Sequence, residues 1–163
     1  MRRAACAACR STSGCLEEAI DLIKNHGAVA DLEDLREIGR ALPANVSFQG
    51  ELRRPQLKAF GVLVTHENGV LAATTAFGKT VVGAALIAHR ARNTLILVHR
   101  RELLNQWVER LRSFLQIDQE QIGVIGGGKR KPTGIIDVAL IQSLVRKGEV
   151  ADIVGDYGHL VMY

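Results

Sequence analysis

Apolar and polar positions follow a regular pattern from Glu51 to the C-terminus. Short, continuously apolar runs predict buried strands at 69–73, 94–98, 122–126, 136–141 and 159–163. Between them, the segments 79–92 and 101–115 carry apolar residues at helical spacing. Apolar strands separated by amphipathic helices are typical of a parallel sheet with helices on both faces. We therefore predict an α/β domain over 51–163, and its ligands bind at the carboxyl ends of such strands.

A different pattern precedes this domain. Residues 15–26 place apolar side chains on one helical face, and Gly27 is suited to end that helix. Short apolar segments follow, closing with a strand-like run at 45–50. We predict that residues 15–50 form a small α/β accessory segment ahead of the main domain.

All three cysteines lie near the N-terminus, where residues 1–14 are small and polar without periodicity. We expect a disordered leader there. The spacing of Cys6 and Cys9, with Cys15 and His26, allows a zinc site, but the second tight ligand pair of a structural zinc site is missing. Ordinary reduced thiols are the interpretation we favour.

Composition narrows the class of protein. Hydrophobic residues make up 47% and charged residues 23% of 163 residues, which is ordinary for a globular protein. The net charge of +4 is compatible with a nucleic-acid partner but too small to require one. No apolar run approaches the about 20 residues that span a bilayer, and no secretory signal is present. We expect a cytoplasmic protein without a membrane partner.

The stretch after the first predicted strand has the spacing of a phosphate-binding loop, with Ala73 in place of the first glycine. Backbone N–H groups at the start of the following helix favour anions. The Lys79 ammonium would reach the β and γ phosphates, and the Thr80 hydroxyl would bind Mg²⁺. A plain strand-to-helix turn is the alternative. The residues expected to bind the nucleotide are Ala73, Thr74, Thr75, Ala76, Phe77, Gly78, Lys79 and Thr80.

The loop AATTAFGKT resembles the first motif of superfamily 2 helicases. Ala76 stands where that family usually has glycine, and alanine is unfavourable there only if the position needs a positive φ. Upstream, ELRRPQLKAF is similar to the segment that precedes this motif. The resemblance implies that Gln56 reads the adenine edge with Arg53 nearby, and a Gln amide offers both a donor and an acceptor.

Three later stretches extend the resemblance to nucleic-acid contacts. LILVHRRELLNQW looks like the second motif, IGGGKRKPTG is a Gly-rich basic loop, and DVALIQSLVRKG resembles a motif that touches the tracking strand. Arginine suits phosphate by charge and forked geometry. For the Gly-rich loop, a solvent-exposed hairpin or crossover is an equal alternative. The residues implied are His99, Arg100, Arg101, Gly127, Gly128, Lys129, Gln142 and Ser143.

Within the superfamily, these stretches look closest to helicases related to restriction-enzyme and excision-repair translocases. The resemblance implies a RecA-like first motor lobe of the DEAD/DEAH-box type. It also implies ATP and Mg²⁺ as cofactors, a nucleic-acid track with DNA favoured over RNA, and a second RecA-like lobe as partner. We expect an ATP-dependent helicase or translocase. The alternatives are a non-catalytic nucleic-acid-binding module with a vestigial phosphate loop, and a small P-loop kinase.

The catalytic acids of such an enzyme are not found in the sequence. The strand at 159–163 should deliver an Asp-Glu pair that holds Mg²⁺ and orients water, but Tyr163 is the last residue. Asp137 opens its strand at the wrong end, and Asp152 and Asp156 do not follow an uninterrupted apolar strand. We therefore expect an N-terminal fragment, cut before its catalytic acids and inactive alone.

Overall fold

The computed structural model describes residues 16–29, 38–146 and 149–163. The chain forms two compact units, Met1–Arg36 and Glu37–Tyr163. In the first, helix α1 (Leu16–Asn25) confirms the predicted helix, and Gly27 follows it with a φ of 70°. The leader and the possible metal site at Cys6, Cys9 and Cys15 lie outside the described residues.

The second unit is built on a five-stranded sheet in the order β3-β2-β4-β1-β7. Strands β1, β2, β4 and β7 run parallel, and β3 is antiparallel to β2. A separate antiparallel pair joins β5 to β6. The strands are β1 (Thr94–Val98), β2 (Ile122–Gly126), β3 (Lys129–Lys131), β4 (Ile136–Leu140), β5 (Val145–Arg146), β6 (Glu149–Val150) and β7 (His159–Met162).

Helices precede or connect these strands, and several of them pack against the sheet. Apart from α1, the structure has α2 (Arg54–Val64), α3 (Lys79–Arg90), α4 (Arg101–Phe114) and the single turn α5 (Ile141–Leu144). Short 3-10 turns lie at Gln119–Gln121 and Asp152–Asp156. Helices α3 and α4 begin directly after polar loops, as their apolar spacing predicts.

Alternating side chains of β1 separate the core into two layers. Ile96 and Val98 lie in the cluster that includes Trp107, on the side of α3 and α4. Leu95 and Leu97 lie in the other cluster, with Leu144 and neighbouring residues from short elements. Both faces of the sheet are therefore buried, which is why its strands read as continuous apolar runs. The α/β, RecA-like fold class is confirmed.

Two predicted strands are wrong. Residues 69–73 form no strand, and Val70 is 92% exposed. Among the described strands none pairs with this run, and an apolar run without a neighbouring ladder has no hydrogen-bond partners that would hold it extended. Residues 45–50 form only an isolated bridge, from Phe48 to Leu115.

Residues 38–50 are joined to the sheet unit by backbone hydrogen bonds. The Leu42 N–H donates to the Ala91 carbonyl at 3.0 Å, and the Gln49 N–H donates to the Phe114 carbonyl at 2.8 Å. The predicted domain boundary at Gly50 stays a prediction. No helix in the described parts of the chain is long and apolar enough to cross a membrane.

Candidate nucleotide and nucleic-acid site

The predicted phosphate loop lies at the N-terminus of α3. Gly78 precedes the helix with a φ of 89°, and a Cβ on it would lie 2.5 Å from the Gln56 side chain. Glycine is therefore required at this position. The first N–H groups of a helix lack intrahelical partners, so the loop presents donors to an anion. Lys79 is the first helical residue, and Thr80 beside it is only 8% exposed.

Ala76 adopts the left-handed conformation, with a φ of 65°. The condition under which alanine is unfavourable at this position is therefore met. For an L-residue with a Cβ, this conformation costs roughly 1–2 kcal/mol. The loop holds a small amount of backbone strain at the residue where the resembling family has glycine.

The Lys79 ammonium is held by the loop's own backbone. Its Nζ donates to the Ala73 carbonyl at 2.6 Å and to the Thr74 carbonyl at 3.1 Å. These carbonyls compete with a phosphate for the same cation. A bound phosphate has to draw the ammonium away from them.

Arg53 and Gln56 support the loop from α2. The Gln56 side chain is 3% exposed, accepts the Arg53 N–H at 2.8 Å and donates to the Phe77 carbonyl at 2.8 Å. The Arg53 guanidinium donates to the same carbonyl at 2.5 Å. Sequence reasoning missed this support, although a Gln three residues after a helix N-cap is one half of the capping-box signal; Arg53 at the N-cap cannot supply the other half. The adenine role of Gln56 stays a prediction.

Two cavities open beside the loop. One, of about 540 Å³, is lined by residues 74–81 together with Gln106, Arg110 and Tyr163. The other, of about 270 Å³, lies on the Arg53 and Gln56 side. Together they reach the size of small-molecule sites. Their polar backbone, Lys79 and Thr80 fit a magnesium-bound triphosphate, but no described Asp or Glu lines either cavity.

The three aspartates considered from the sequence lie elsewhere. Asp137 is fully buried at the start of β4, where it accepts hydrogen bonds from the N–H and hydroxyl of Thr133 and from the Tyr157 hydroxyl. Burial, and then the hydrogen bond to Asp137, raise the pKa of Tyr157 well above its usual range, so Tyr157 stays a donor. Asp152 and Asp156 lie in a 3-10 turn, and neither lines the cavity at Thr80.

The nucleic-acid candidates gather at one edge of the sheet. Because β2, β4 and β1 are parallel neighbours, their carboxyl ends meet at the same edge, about 4.8 Å apart from strand to strand. The candidate residues that follow these strands are exposed, except for the half-buried Gly127. After β1 come His99, Arg100 and Arg101, after β2 come Gly127, Gly128 and Lys129, and after β4 come Gln142 and Ser143.

The Gly-rich segment is a tight hairpin. Gly126 pairs with Lys129 across a two-residue turn, in which Gly127 and Gly128 have φ values of 60° and 84°. Two positive φ values are the signature of a type I′ turn. The Gly-rich loop is therefore a hairpin, and its contact with phosphate stays a prediction. The Arg101 guanidinium donates to the Gly127 carbonyl and so ties the turn to the start of α4.

No group of three His, Cys, Asp or Glu residues suited to a metal ion occurs among the described residues. His26, a proposed ligand with the three cysteines, instead places its Nδ1 2.8 Å from the Leu22 carbonyl. The cysteines themselves are outside the described part, so that hypothesis stays open.

Comparison with known proteins assigns the chain to a family. Residues 29–157 match the family model of the type III restriction enzyme, res subunit. The DNA 3'-5' translocase XPB2 of Sulfurisphaera tokodaii is 30% identical over 102 residues, which are 63% of this chain and 23% of the relative. The DNA 3'-5' helicase XPB of Mycobacterium tuberculosis is 29% identical over 126 residues, 77% of this chain and 22% of the relative.

A third relative is the putative helicase 161L of Invertebrate iridescent virus 6, 34% identical over 86 residues, 50% of this chain and 19% of the relative. The chain thus spans about a fifth of the length of these relatives. The family match covers most of the chain and agrees with the loop, the sheet and the resemblance. The chain belongs to the type III restriction enzyme res subunit family, and its sheet is that of the N-terminal lobe of a superfamily 2 helicase.

Proposed function

We propose that this chain supplies the ATP-binding part of a DNA helicase or translocase. In this proposal residues 51–163 belong to the first RecA-like lobe, residues 15–50 are an accessory segment, and a second lobe completes the motor. The observation that carries the proposal is the left-handed turn at Gly78, which opens α3 onto a cavity of about 540 Å³. The names of the relatives, helicases and a translocase of DNA, support the same function.

The loop residues have distinct roles in the proposal. When ATP binds, the Lys79 ammonium leaves the Ala73 and Thr74 carbonyls for the β and γ phosphates. The Thr80 hydroxyl would give one ligand to Mg²⁺, which would supply neutralisation of the charge on the phosphates. Arg53 and Gln56 hold the loop through the Phe77 carbonyl and face the adenine side.

Nucleic acid is held at the sheet edge through its backbone. The exposed cations there suit phosphate, and the exposed amide and hydroxyl of Gln142 and Ser143 suit phosphate and sugar oxygens. Such contacts carry no sequence information, so binding is sequence-independent and weakens steeply with salt.

The test is nucleotide binding by the purified chain. We expect the Lys79→Ala variant to lose binding of a fluorescent ATP analogue with Mg²⁺, and Thr80→Ala to lose the Mg²⁺ dependence. Lys131→Ala is the matched control, since Lys131 is exposed on β3 and lines neither cavity. Equal binding by wild type and Lys79→Ala would remove the basis of the proposal.

One observation favours a second candidate, a non-catalytic nucleic-acid-binding module with a vestigial loop. No described carboxylate lines the cavity beside Thr80, and phosphoryl transfer needs one to orient water and hold the metal. The same experiment, with DNA binding measured beside it, separates the two functions. A chain that binds DNA but shows no nucleotide binding that depends on Lys79 is the non-catalytic module.

A further inference from the structure

A polar groove of about 530 Å³ runs between α4 and the β2–β3 hairpin, away from the nucleotide loop. We propose that this α4–hairpin groove, defined by Arg101, Asn105, Glu109, Arg112 and Lys129, binds the phosphate backbone of a DNA strand. It continues the interface from the sheet edge along the side of α4. The inference rests on the proposed function, which places DNA at that edge.

Helix geometry makes the groove long enough for several phosphates. Arg101, Asn105, Glu109 and Arg112 follow one another at steps of four, four and three residues, so they lie on one flank of α4. Arg101 and Arg112 are separated by about 16 Å along the helix axis, at 1.5 Å per residue. One strand of B-DNA carries a phosphate about every 3.4 Å along its axis. The groove is therefore long enough to contact more than one phosphate of a strand.

Within the part of the chain that the structure describes, two of the three cations in the groove are free of side-chain partners, and the third, Arg101, donates to the Gly127 carbonyl. Arg101, Arg112 and Lys129 are exposed, and Glu109 is the single acid among the lining residues. In the described parts of the chain, neither Arg112 nor Lys129 has a side-chain hydrogen bond or ion pair. Each therefore has a full set of donors for a phosphate oxygen.

The hairpin divides a basic run between two faces. Lys129 pairs with Gly126, and both line the groove. The next residue, Arg130, pairs with Ile125, whose side chain lies in the core cluster on the opposite face of the sheet. Paired residues of an antiparallel ladder share a face. The structure thus assigns Lys129 to the groove and Arg130 to the other side, a division that the sequence run KRK does not reveal.

Continuity favours DNA over an acidic protein segment as the occupant. Arg101 and Gly127 belong both to the groove and to the sheet edge at which β1 and β2 end. A DNA strand bound at that edge can therefore continue into the groove while it still contacts Arg101 and Gly127. The lining also contains no large aromatic or extended apolar surface of the kind that anchors protein partners.

The experiment measures binding of a fluorescein-labelled oligodeoxythymidylate and of a mixed-sequence duplex over a range of salt concentrations. We expect Arg112→Ala and Lys129→Ala each to weaken binding about three- to tenfold at low salt and to reduce the log–log salt slope by about 0.7–0.9. Arg130→Ala, the matched neighbour, should stay within about twofold of wild type. Arg112→Lys should recover affinity, and circular dichroism checks that α4 is retained.

The outcomes separate this inference from the proposed function. Suppose that Arg100→Glu weakens DNA binding while Arg112→Ala and Lys129→Ala change neither the affinity nor the salt slope. The proposal that the groove binds DNA is then wrong, and the sheet-edge interface stands. If Arg130→Ala weakens binding as much as Lys129→Ala, the assignment by face is overturned. A wild-type chain that binds neither DNA probe overturns both. Binding of polyglutamate that depends on Arg112, without binding of DNA, identifies a protein partner instead.

Discussion

At the scale of single residues, Ala76 and Gly78 show what the phosphate loop demands of its backbone. Both have positive φ values, 65° and 89°, but only Gly78 is free of the steric cost. The sequence predicted the loop from spacing that is entirely local. It left the conformation of Ala76 undecided, because φ at that residue depends on the whole turn, including the hydrogen bonds from Arg53 and Gln56 to Phe77.

We expect Ala76→Gly to stabilise the protein by up to about 1 kcal/mol. Relief of the left-handed strain exceeds the greater entropy that glycine adds to the unfolded chain. Ala72→Gly is the control, since Ala72 lies in the same exposed stretch without a positive φ, and it should destabilise slightly. Urea unfolding measures both variants. A loss of stability in Ala76→Gly would show that the left-handed conformation of Ala76 is not strained.

His159 gives a second prediction at this scale. Burial, and then the nearby Arg90 charge, lower the pKa of His159 from 6.5 to about 4. The folded protein thus prefers the neutral imidazole. Its contribution to stability is complete above the unfolded pKa of 6.5 and is lost as the pH falls from 6.5 towards 4.

The pH dependence is measured by urea unfolding of wild type, His159→Asn and a control, His66→Asn, whose histidine is exposed. We expect the wild type to lose more stability than His159→Asn between pH 7 and pH 5, and His66→Asn to follow the wild type. Identical profiles for wild type and His159→Asn would show that His159 does not titrate in this way.

At the scale of elements, local pattern predicted most of the fold. The apolar runs at 94–98 and 122–126 are strands with those same bounds, and α3 and α4 begin where their polar loops end. The strand predicted at 69–73 is wrong, because an apolar pattern reports a preference for burial and not whether a neighbouring strand exists to pair with it. The sequence did not decide whether the Gly-rich segment after β2 forms a hairpin, although two glycines at a two-residue turn are a hairpin signal.

The contact between α3 and α4 depends on a glycine that periodicity did not mark. A Cβ on Gly83 would lie 2.7 Å from Cη2 of the buried Trp107. We expect Gly83→Ala to destabilise the protein, because overpacking of about 1–3 kcal/mol exceeds the gain of about 1 kcal/mol in helix propensity.

Gly61→Ala is the matched control, since Gly61 lies in α2 with open space around its Cα. Helix propensity alone should then stabilise that variant by about 0.8–1 kcal/mol. Thermal and urea unfolding measure both. Equal changes of the same sign in the two variants would mean that Trp107 does not restrict α3.

At the scale of the whole molecule, one edge of the sheet is exposed and apolar. No described strand pairs with the outer side of β7, and its Leu160 and Met162 are 49% and 73% exposed. Unpaired backbone beside apolar side chains is a template for association between chains. We expect the purified chain to self-associate, and the double variant Leu160→Lys, Met162→Lys to do so less.

Light scattering at increasing protein concentration measures this association. Val70→Lys is the control, since Val70 is an exposed apolar residue outside the sheet. A concentration-independent monomer in the wild type would contradict the account of the β7 edge.

The central claim is that ATP binds at the loop that opens α3, and amide hydrogen exchange with and without Mg²⁺ and ATP tests it most directly. We predict slower exchange over residues 74–82, where the backbone N–H groups meet the phosphates, and no change in Lys79→Ala. Exchange over the β2–β3 hairpin should stay the same, since it lines neither nucleotide cavity. ATP binding that leaves residues 74–82 unprotected would contradict the claim.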